Sequence, residues 1–204
     1  MSKYRVDLNC DMGESFGVYQ LGMDEEIIKY ISSANIACGF HAGDSHVMDY
    51  TVELAANNNV AVGAHPAYND LNGFGRRKIE MEPEKVRDIM TYQIGALAAF
   101  TRSHGLKLQH VKPHGALYNM ASTDNELAEA IAESIKKIDE ELIIIAPGGS
   151  EMYKAAQKLG LQAASEVFAD RAYNKDGTLV SRKYEGAVIE DTSQVKERVL
   201  KMVK

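Results

Sequence analysis

Short apolar runs alternate with amphipathic stretches along nearly the whole chain, and the period of each run assigns its element. Strands are predicted at Tyr4–Asn9, Ser33–Cys38, Val60–Ala64, Leu108–Lys112, Leu142–Ala146 and Gln162–Glu166, with a weaker one at Gly186–Ile189. The clearest helix covers Glu84 to Ser103, where Val86, Ile89, Met90, Ile94, Leu97 and Phe100 recur three and four apart, behind Pro83 and ahead of Gly105. Further helices are predicted over Asp44–Asn58, from Thr123 with Glu126 completing a capping box, and over Thr192–Val203 with Val195, Val199 and Met202 on one stripe.

Strands that alternate with helices at this spacing predict parallel βαβ units, because parallel neighbours need a crossover and a helix is the usual one. The class is α/β, and no Pro/Ser-rich linker divides residues 1–204, so one domain is expected. An open doubly wound sheet gathers ligand groups at one switch point, whereas a barrel carries them at the carboxyl end of most strands. Here the polar residues follow nearly every strand, which favours the barrel.

With 204 residues, 45% hydrophobic and 25% charged, the composition is that of a globular chain able to build a core without staples. Asp plus Glu number 29 against 23 Lys plus Arg, a net charge of −6 that argues against nucleic acid as partner. The longest aliphatic run, Leu142–Ala146, falls far short of the roughly 20 residues of a membrane span. Two cysteines, Cys10 and Cys38, without metal-finger spacing or a secretory leader, predict a cytoplasmic location.

The chemistry-bearing residues sit at predicted strand ends. In Asp7-Leu8-Asn9-Cys10-Asp11-Met12-Gly13-Glu14, a period of two would point Asp7, Asn9 and Asp11 to one face. Repulsion there would raise one carboxylate's pKa and make it a general base. His41 lies in Cys38-Gly39-Phe40-His41-Ala42-Gly43-Asp44, where Asp44 also suits a helix N-cap. His65 and His114 follow the third and fourth strands, the latter beside Lys112. Asp11, His41 and His65 are the candidate metal ligands, since such a set serves equally as ligands or as acid and base groups. His104 and His110 read as structural. Arg76, in Gly73-Phe74-Gly75-Arg76-Arg77, could grip a carboxylate or phosphate. Asp170 and Arg171 could pair with each other or contact substrate. Neither GxxxxGK[ST] nor GxGxxG occurs, so nucleotide binding has no motif in this chain.

Val6-Asp7-Leu8-Asn9-Cys10-Asp11-Met12-Gly13-Glu14, Ala34 to Asp44, Gly63-Ala64-His65-Pro66, Val111 to Tyr118 and Asp170-Arg171-Ala172-Tyr173, taken in order, resemble the LamB/YcsF family. That resemblance implies an irregular seven-stranded β/α barrel of glycoside hydrolase/deacetylase type. It also implies ATP-dependent opening of the 5-oxoproline lactam to L-glutamate, with ATP as co-substrate of a complex that includes subunits B and C. Family members continue with a strand bearing a Cys-Val-His-Gly-Asp segment and a final helix. The resemblance therefore implies either a truncated chain or a barrel completed differently. Under it, Asp7, Asp11, His41, His65 and His114 are expected to be catalytic, and Asn9, Glu14, Asp44, Arg76, Lys112, Asp170 and Arg171 to bind substrate. Two alternatives stay open: a metal-dependent hydrolase or deacetylase acting without ATP, and a non-catalytic binding subunit.

Overall fold

The computed structural model describes residues 6–203. Asp7–Ser165 forms one compact unit, and Glu166 onward, with Val6, forms another. Six parallel strands lie side by side in sequence order: β1 (Asn9–Met12), β2 (Ser33–Ala37), β3 (Ala61–His65), β4 (Leu108–Val111), β5 (Ile143–Pro147) and β6 (Ala163–Glu166). The helices are α1 (Asp24–Ile27), α2 (Ser45–Asn57), α3 (Pro83–Ser103), α4 (Gly115–Ala121), α5 (Asn125–Ile138), α6 (Glu151–Leu159) and α7 (Thr192–Met202). The α/β class expected from periodicity is the one observed.

Every residue of β2 is buried, as a central parallel strand requires. Its Ala34 and Ile36 belong to the hydrophobic core, to which α2, α3 and α5 contribute Val52, Met90, Ile94, Leu97, Ile131 and Ile135. The inward face is polar and strongly curled. In a flat sheet β1 and β4 would stand about 14 Å apart. Lys112, just past β4, nevertheless brings its Nζ to 3.1 Å from Asn9 Oδ1 and 3.2 Å from Asp11 Oδ1 on β1. The sheet is therefore a half-barrel whose side chains meet across its interior.

Gly63 makes one of these crossings possible. A Cβ there would lie 2.0 Å from His110 Nε2, so the bare backbone of β3 lets the His110 ring pass over it to Asn35 on β2. Asn35 Oδ1 accepts from His110 Nε2 at 2.8 Å, and its Nδ2 donates to Asn9 Oδ1 at 2.7 Å and Asp11 Oδ1 at 2.9 Å. A buried amide making all three bonds ties β1, β2 and β4 together, over β3.

Three expectations need correction. Among the described residues the first strand begins at Asn9, leaving Val6, Asp7 and Leu8 outside it; Tyr4 and Arg5 lie outside the described residues. The Ser32 hydroxyl accepts the Leu8 N–H at 2.8 Å and the Leu8 carbonyl accepts the Ser32 backbone N–H at 2.9 Å, while Val6 and Leu8 stay more than half exposed, so the ladder starts one residue later. The fifth helix is capped by Asp124, whose carboxylate accepts the Leu127 N–H, while the Thr123 hydroxyl turns back to the Met120 carbonyl. Gly186–Ile189 forms no strand. Ala187 and Ile189 bond backbone to backbone with Ala172 and Asp170, and only an isolated antiparallel bridge joins Val188 to Arg171. The predicted stripe of α7 has no fully buried residue.

Candidate functional site

The carboxyl ends of β1 to β4 converge on one cluster. Glu14 lies in the loop after β1, His41 in the β2–α2 loop, His65 at the last position of β3, and His114 at the N-cap of α4. Backbone bonds tie these loops together: Lys112 N–H to the Ala64 carbonyl at 2.9 Å, His114 N–H to Pro66 at 2.8 Å, and Ala116 N–H to Gly75 at 2.9 Å. Buried Gln93 of α3 clamps Ala67 beyond β3, donating to its carbonyl and accepting its N–H, both at 2.9 Å.

The three histidines are buried and pack ring against ring. His41 and His114 stack with centroids 3.7 Å apart and planes 6° from parallel, while His65 meets both edge-on. Gly75 closes one side, since a Cβ there would come within 2.8 Å of His41 Cβ and 2.9 Å of His114 Cδ2. Phe74 adopts a left-handed backbone, φ 53°, which costs a non-glycine residue about 1–2 kcal/mol. Its carbonyl accepts from His114 Nε2 at 2.9 Å, and its ring stands edge-on to His41 and His114.

Polar contacts link the rings to two carboxylates. His41 Nε2 is 3.0 Å from Glu14 Oε1, and His114 Nδ1 is 3.7 Å from the same oxygen. His65 Nε2 lies 3.3 Å from Asp11 Oδ2 and 2.9 Å from His114 Nδ1. The Asp11 side chain keeps 36% of its surface exposed, enough to meet a solute. Glu14, His41, His65 and His114 each offer a ligand atom, all within 4.8 Å of one another, so these four could hold a metal ion.

The electrostatics separate the groups. Burial pushes His41 down to about 2, aided by positive charge at His65 and Arg76, and His114 down to about 3, aided by His65 and His41. Both are therefore neutral imidazoles at neutral pH. Burial alone would raise Asp11, but positive charge on His65 and Lys112, with hydrogen bonds from His65 and Asn35, holds it well below the carboxylate range. Glu14 is instead raised, chiefly by burial. The expectation of carboxylate repulsion lifting a first-strand aspartate thus reverses at Asp11. Burial also lifts Cys10 to about 11 and Cys38 to about 12, so neither thiol is a nucleophile.

The remaining predicted residues are placed elsewhere or otherwise engaged. Asp7 sits at the amino end of the sheet, its oxygens accepting from the Ser32 and Ser33 hydroxyls at 2.6 and 2.7 Å. Asn9 and Lys112 join Asp11 inside the half-barrel. Asp44 caps α2, accepting from His46 and Val47 N–H, and its second oxygen takes the Gly17 N–H at 2.7 Å. Arg77 pairs with Asp70, while Arg76 lies over the Phe74 ring, 5.0 Å from its centroid. Arg76 also lines a cleft of about 270 Å³ with Lys78, Asn119 and Thr123. In the second unit, Arg171 donates from Nε to the Ala187 carbonyl and from Nη2 to the Val180 carbonyl. Asp170 accepts the Ile189 N–H through its backbone carbonyl.

The family model for the LamB/YcsF family matches residues 6–204. The chain belongs to the LamB/YcsF family. It is 61% identical over 201 residues to the A subunit of 5-oxoprolinase from Clostridium beijerinckii, covering 98% of this chain and 79% of that protein. It is 58% identical to the A subunit of 5-oxoprolinase from Pyrococcus abyssi, covering 98% and 78%. Among solved structures, a lactam utilization protein from Thermus thermophilus superposes with a TM-score of 0.94 at 46% identity, covering 98% of this chain and 81% of that one.

Sequence reasoning on this LamB/YcsF chain missed Asn35, Phe74 and Gly75 as parts of the site. For Asn35 a signal exists, a lone amide inside an otherwise apolar strand. For Phe74 there is none, because an aromatic residue between two glycines does not announce a left-handed turn.

Proposed function

We propose that this chain is the A subunit of a cytoplasmic, ATP-dependent 5-oxoprolinase, acting with subunits B and C to open the 5-oxoproline lactam to L-glutamate. The observation that carries this reading is the meeting of Asp11, Glu14, His41, His65 and His114 at one strand end in a chain so similar to relatives of that name. We also read the half-barrel as part of a seven-stranded β/α barrel forming one domain.

In the net reaction a water oxygen bonds to the lactam carbonyl carbon, the ring C–N bond breaks, and the nitrogen becomes the amine of glutamate. The site must orient water, stabilise an oxyanion and protonate nitrogen. Asp11, ionised and partly exposed, orients the water, with Lys112 balancing its charge. His41, His65 and His114, with Glu14, face the carbonyl oxygen and relay the proton, His41 and His114 as neutral rings. Arg76 takes the substrate carboxylate or a phosphate on the activated carbonyl. ATP activation of the weakly electrophilic lactam is assigned to the partner subunits, because this chain carries no phosphate-loop pattern.

ATP-dependent glutamate release by the three subunits, with each omitted in turn, tests the reading. Release should stop without this chain, and Asp11→Asn should lower turnover at least about 100-fold. Wild-type turnover in Asp11→Asn would remove Asp11 from the mechanism. A second reading, a metal-dependent hydrolase working without ATP, draws on the Glu14/His donor set. Release that persists without ATP would favour it.

A further inference from the structure

Three consecutive basic residues, Arg76, Arg77 and Lys78, follow the Gly73-Phe74-Gly75 turn, and they do not share one task. Arg77 folds back onto the buried carboxylate of Asp70. Arg76 and Lys78 instead line the cleft of about 270 Å³ between this segment and the α4–α5 corner, which contributes Asn119, Met120, Thr123 and Asp124. Among the described residues no carboxylate pairs with either cation. The Thr123 hydroxyl donates to the Met120 carbonyl, and one Asp124 oxygen accepts the Leu127 N–H. The donors that the lining supplies to a ligand are therefore the Arg76 guanidinium, the Lys78 ammonium and the Asn119 amide. A guanidinium fork and an ammonium point charge match a dianion with three terminal oxygens, two gripped by the fork and one by the ammonium. A carboxylate, with a single charge, would leave one cation uncompensated.

The cleft shares a wall with the histidine cluster. Arg76 lies 5.0 Å above the centroid of the Phe74 ring, and that ring stands edge-on to His114 with centroids 5.3 Å apart. The Arg76 stem runs past Gly115, where a Cβ would lie 3.6 Å from Arg76 Cγ. An anion held by Arg76 is thus separated from the His114 imidazole by one aromatic ring. We propose that this cleft is a phosphoryl-binding subsite, with Arg76, Lys78 and Asn119 as its donors. Its occupant is the phosphate borne on the activated substrate, an assignment that rests on the lactam-opening reading above; a nucleotide phosphate is the other source of the same chemistry. Asp124 on the cleft wall weakens the hold on a dianion, which suits a site that must let phosphate go at every turnover.

The test uses the full chain without partners, titrated with inorganic phosphate by isothermal calorimetry at about 0.15 M salt, where attraction between distant exposed charges is screened. One equivalent should bind saturably. Lys78→Ala, a change at an exposed side chain outside the histidine cluster, should weaken binding about 10-fold or more. Asp124→Asn, which keeps a good helix cap, should strengthen it roughly 2- to 5-fold. Non-saturating uptake of phosphate, or equal uptake in wild type and Lys78→Ala, would overturn the subsite. ADP, titrated in the same way, should bind no more tightly than phosphate. Tighter binding of ADP, lost in Lys78→Ala, would make the cleft a nucleotide site and overturn the assignment to substrate. Since no partner subunit enters the titration, it can fail while the three subunits still release glutamate, or succeed while they do not, and the two readings fall separately.

Discussion

Replacing Gly63 with alanine tests the polar interior at its narrowest crossing. The new methyl would sit 2.0 Å from His110 Nε2 and 2.1 Å from its Cδ2, far inside contact distance. The ring must swing away, which removes its 2.8 Å bond to Asn35 and leaves two buried polar groups unpaired. Each orphaned group costs about 1–3 kcal/mol. The overpacked backbone adds a comparable amount. Alanine returns only about 0.5–1 kcal/mol through lower backbone entropy in the unfolded chain. A net loss of about 3–6 kcal/mol is expected, a large share of the roughly 5–15 kcal/mol that holds a typical domain. Urea unfolding followed by circular dichroism should show a lower midpoint with unchanged slope. In a His110→Ala background the same substitution should cost little, because the obstructing ring is gone. A loss below about 1 kcal/mol in the wild-type background, or an equal loss in both, would refute the account of this crossing.

Two further outcomes follow from buried groups. His41, His110 and His114 are held at about 2, 4 and 3 against an ordinary 6.5, each chiefly by burial, so the unfolded chain binds more protons below pH 6.5. Stability should be full above about pH 6.5 and fall as pH drops toward those values, whereas the contribution of Asp11 is present above its ordinary 3.8 and is lost only as pH falls through its lowered value. Urea midpoints of the chelator-treated chain that stay level from pH 7.5 to 5.0 would contradict this. Gln93→Leu keeps most of the side-chain volume but strips both partners from the Ala67 peptide, and a loss of about 2–4 kcal/mol is expected in thermal melts. An unchanged melting temperature would show that the clamp contributes nothing.

Periodicity carried the strands from the second to the sixth and the long third helix, because burial there is repetitive and local. Among the described residues it ran the first strand through Val6, Asp7 and Leu8, which lie outside the ladder, the Leu8 N–H being taken by the hydroxyl of Ser32, distant in sequence. That shift decides which aspartate turns inward: Asp11 meets Lys112, while Asp7 stays with the serines. Histidines after successive strands were legible because parallel strands aim their carboxyl ends at one place. The N-cap use of Asp44 was one of two that its place in the sequence allowed, and the use of Arg171 was not legible. A carboxylate before a helix and a guanidinium in a loop look alike whether they serve a ligand or the backbone, and here their resolved bonds go to N–H groups and carbonyls.

The polar lining also acts as a proofreader of strand alignment during folding. Side chains alternate faces, so slipping β2 by one residue would turn Ile36 into the interior and carry Asn35 into the apolar layer under the helices. An all-aliphatic barrel would tolerate that error at modest cost, since one branched side chain fills much the same space as another. Here the slip would strand Asn35, His110 and Asn9 without partners at once, several kcal/mol above the correct pairing. The His and carboxylate cluster at the carboxyl rim thus rests on a layer that favours one alignment of the strands, so that end inherits its geometry from the polar interior beneath it.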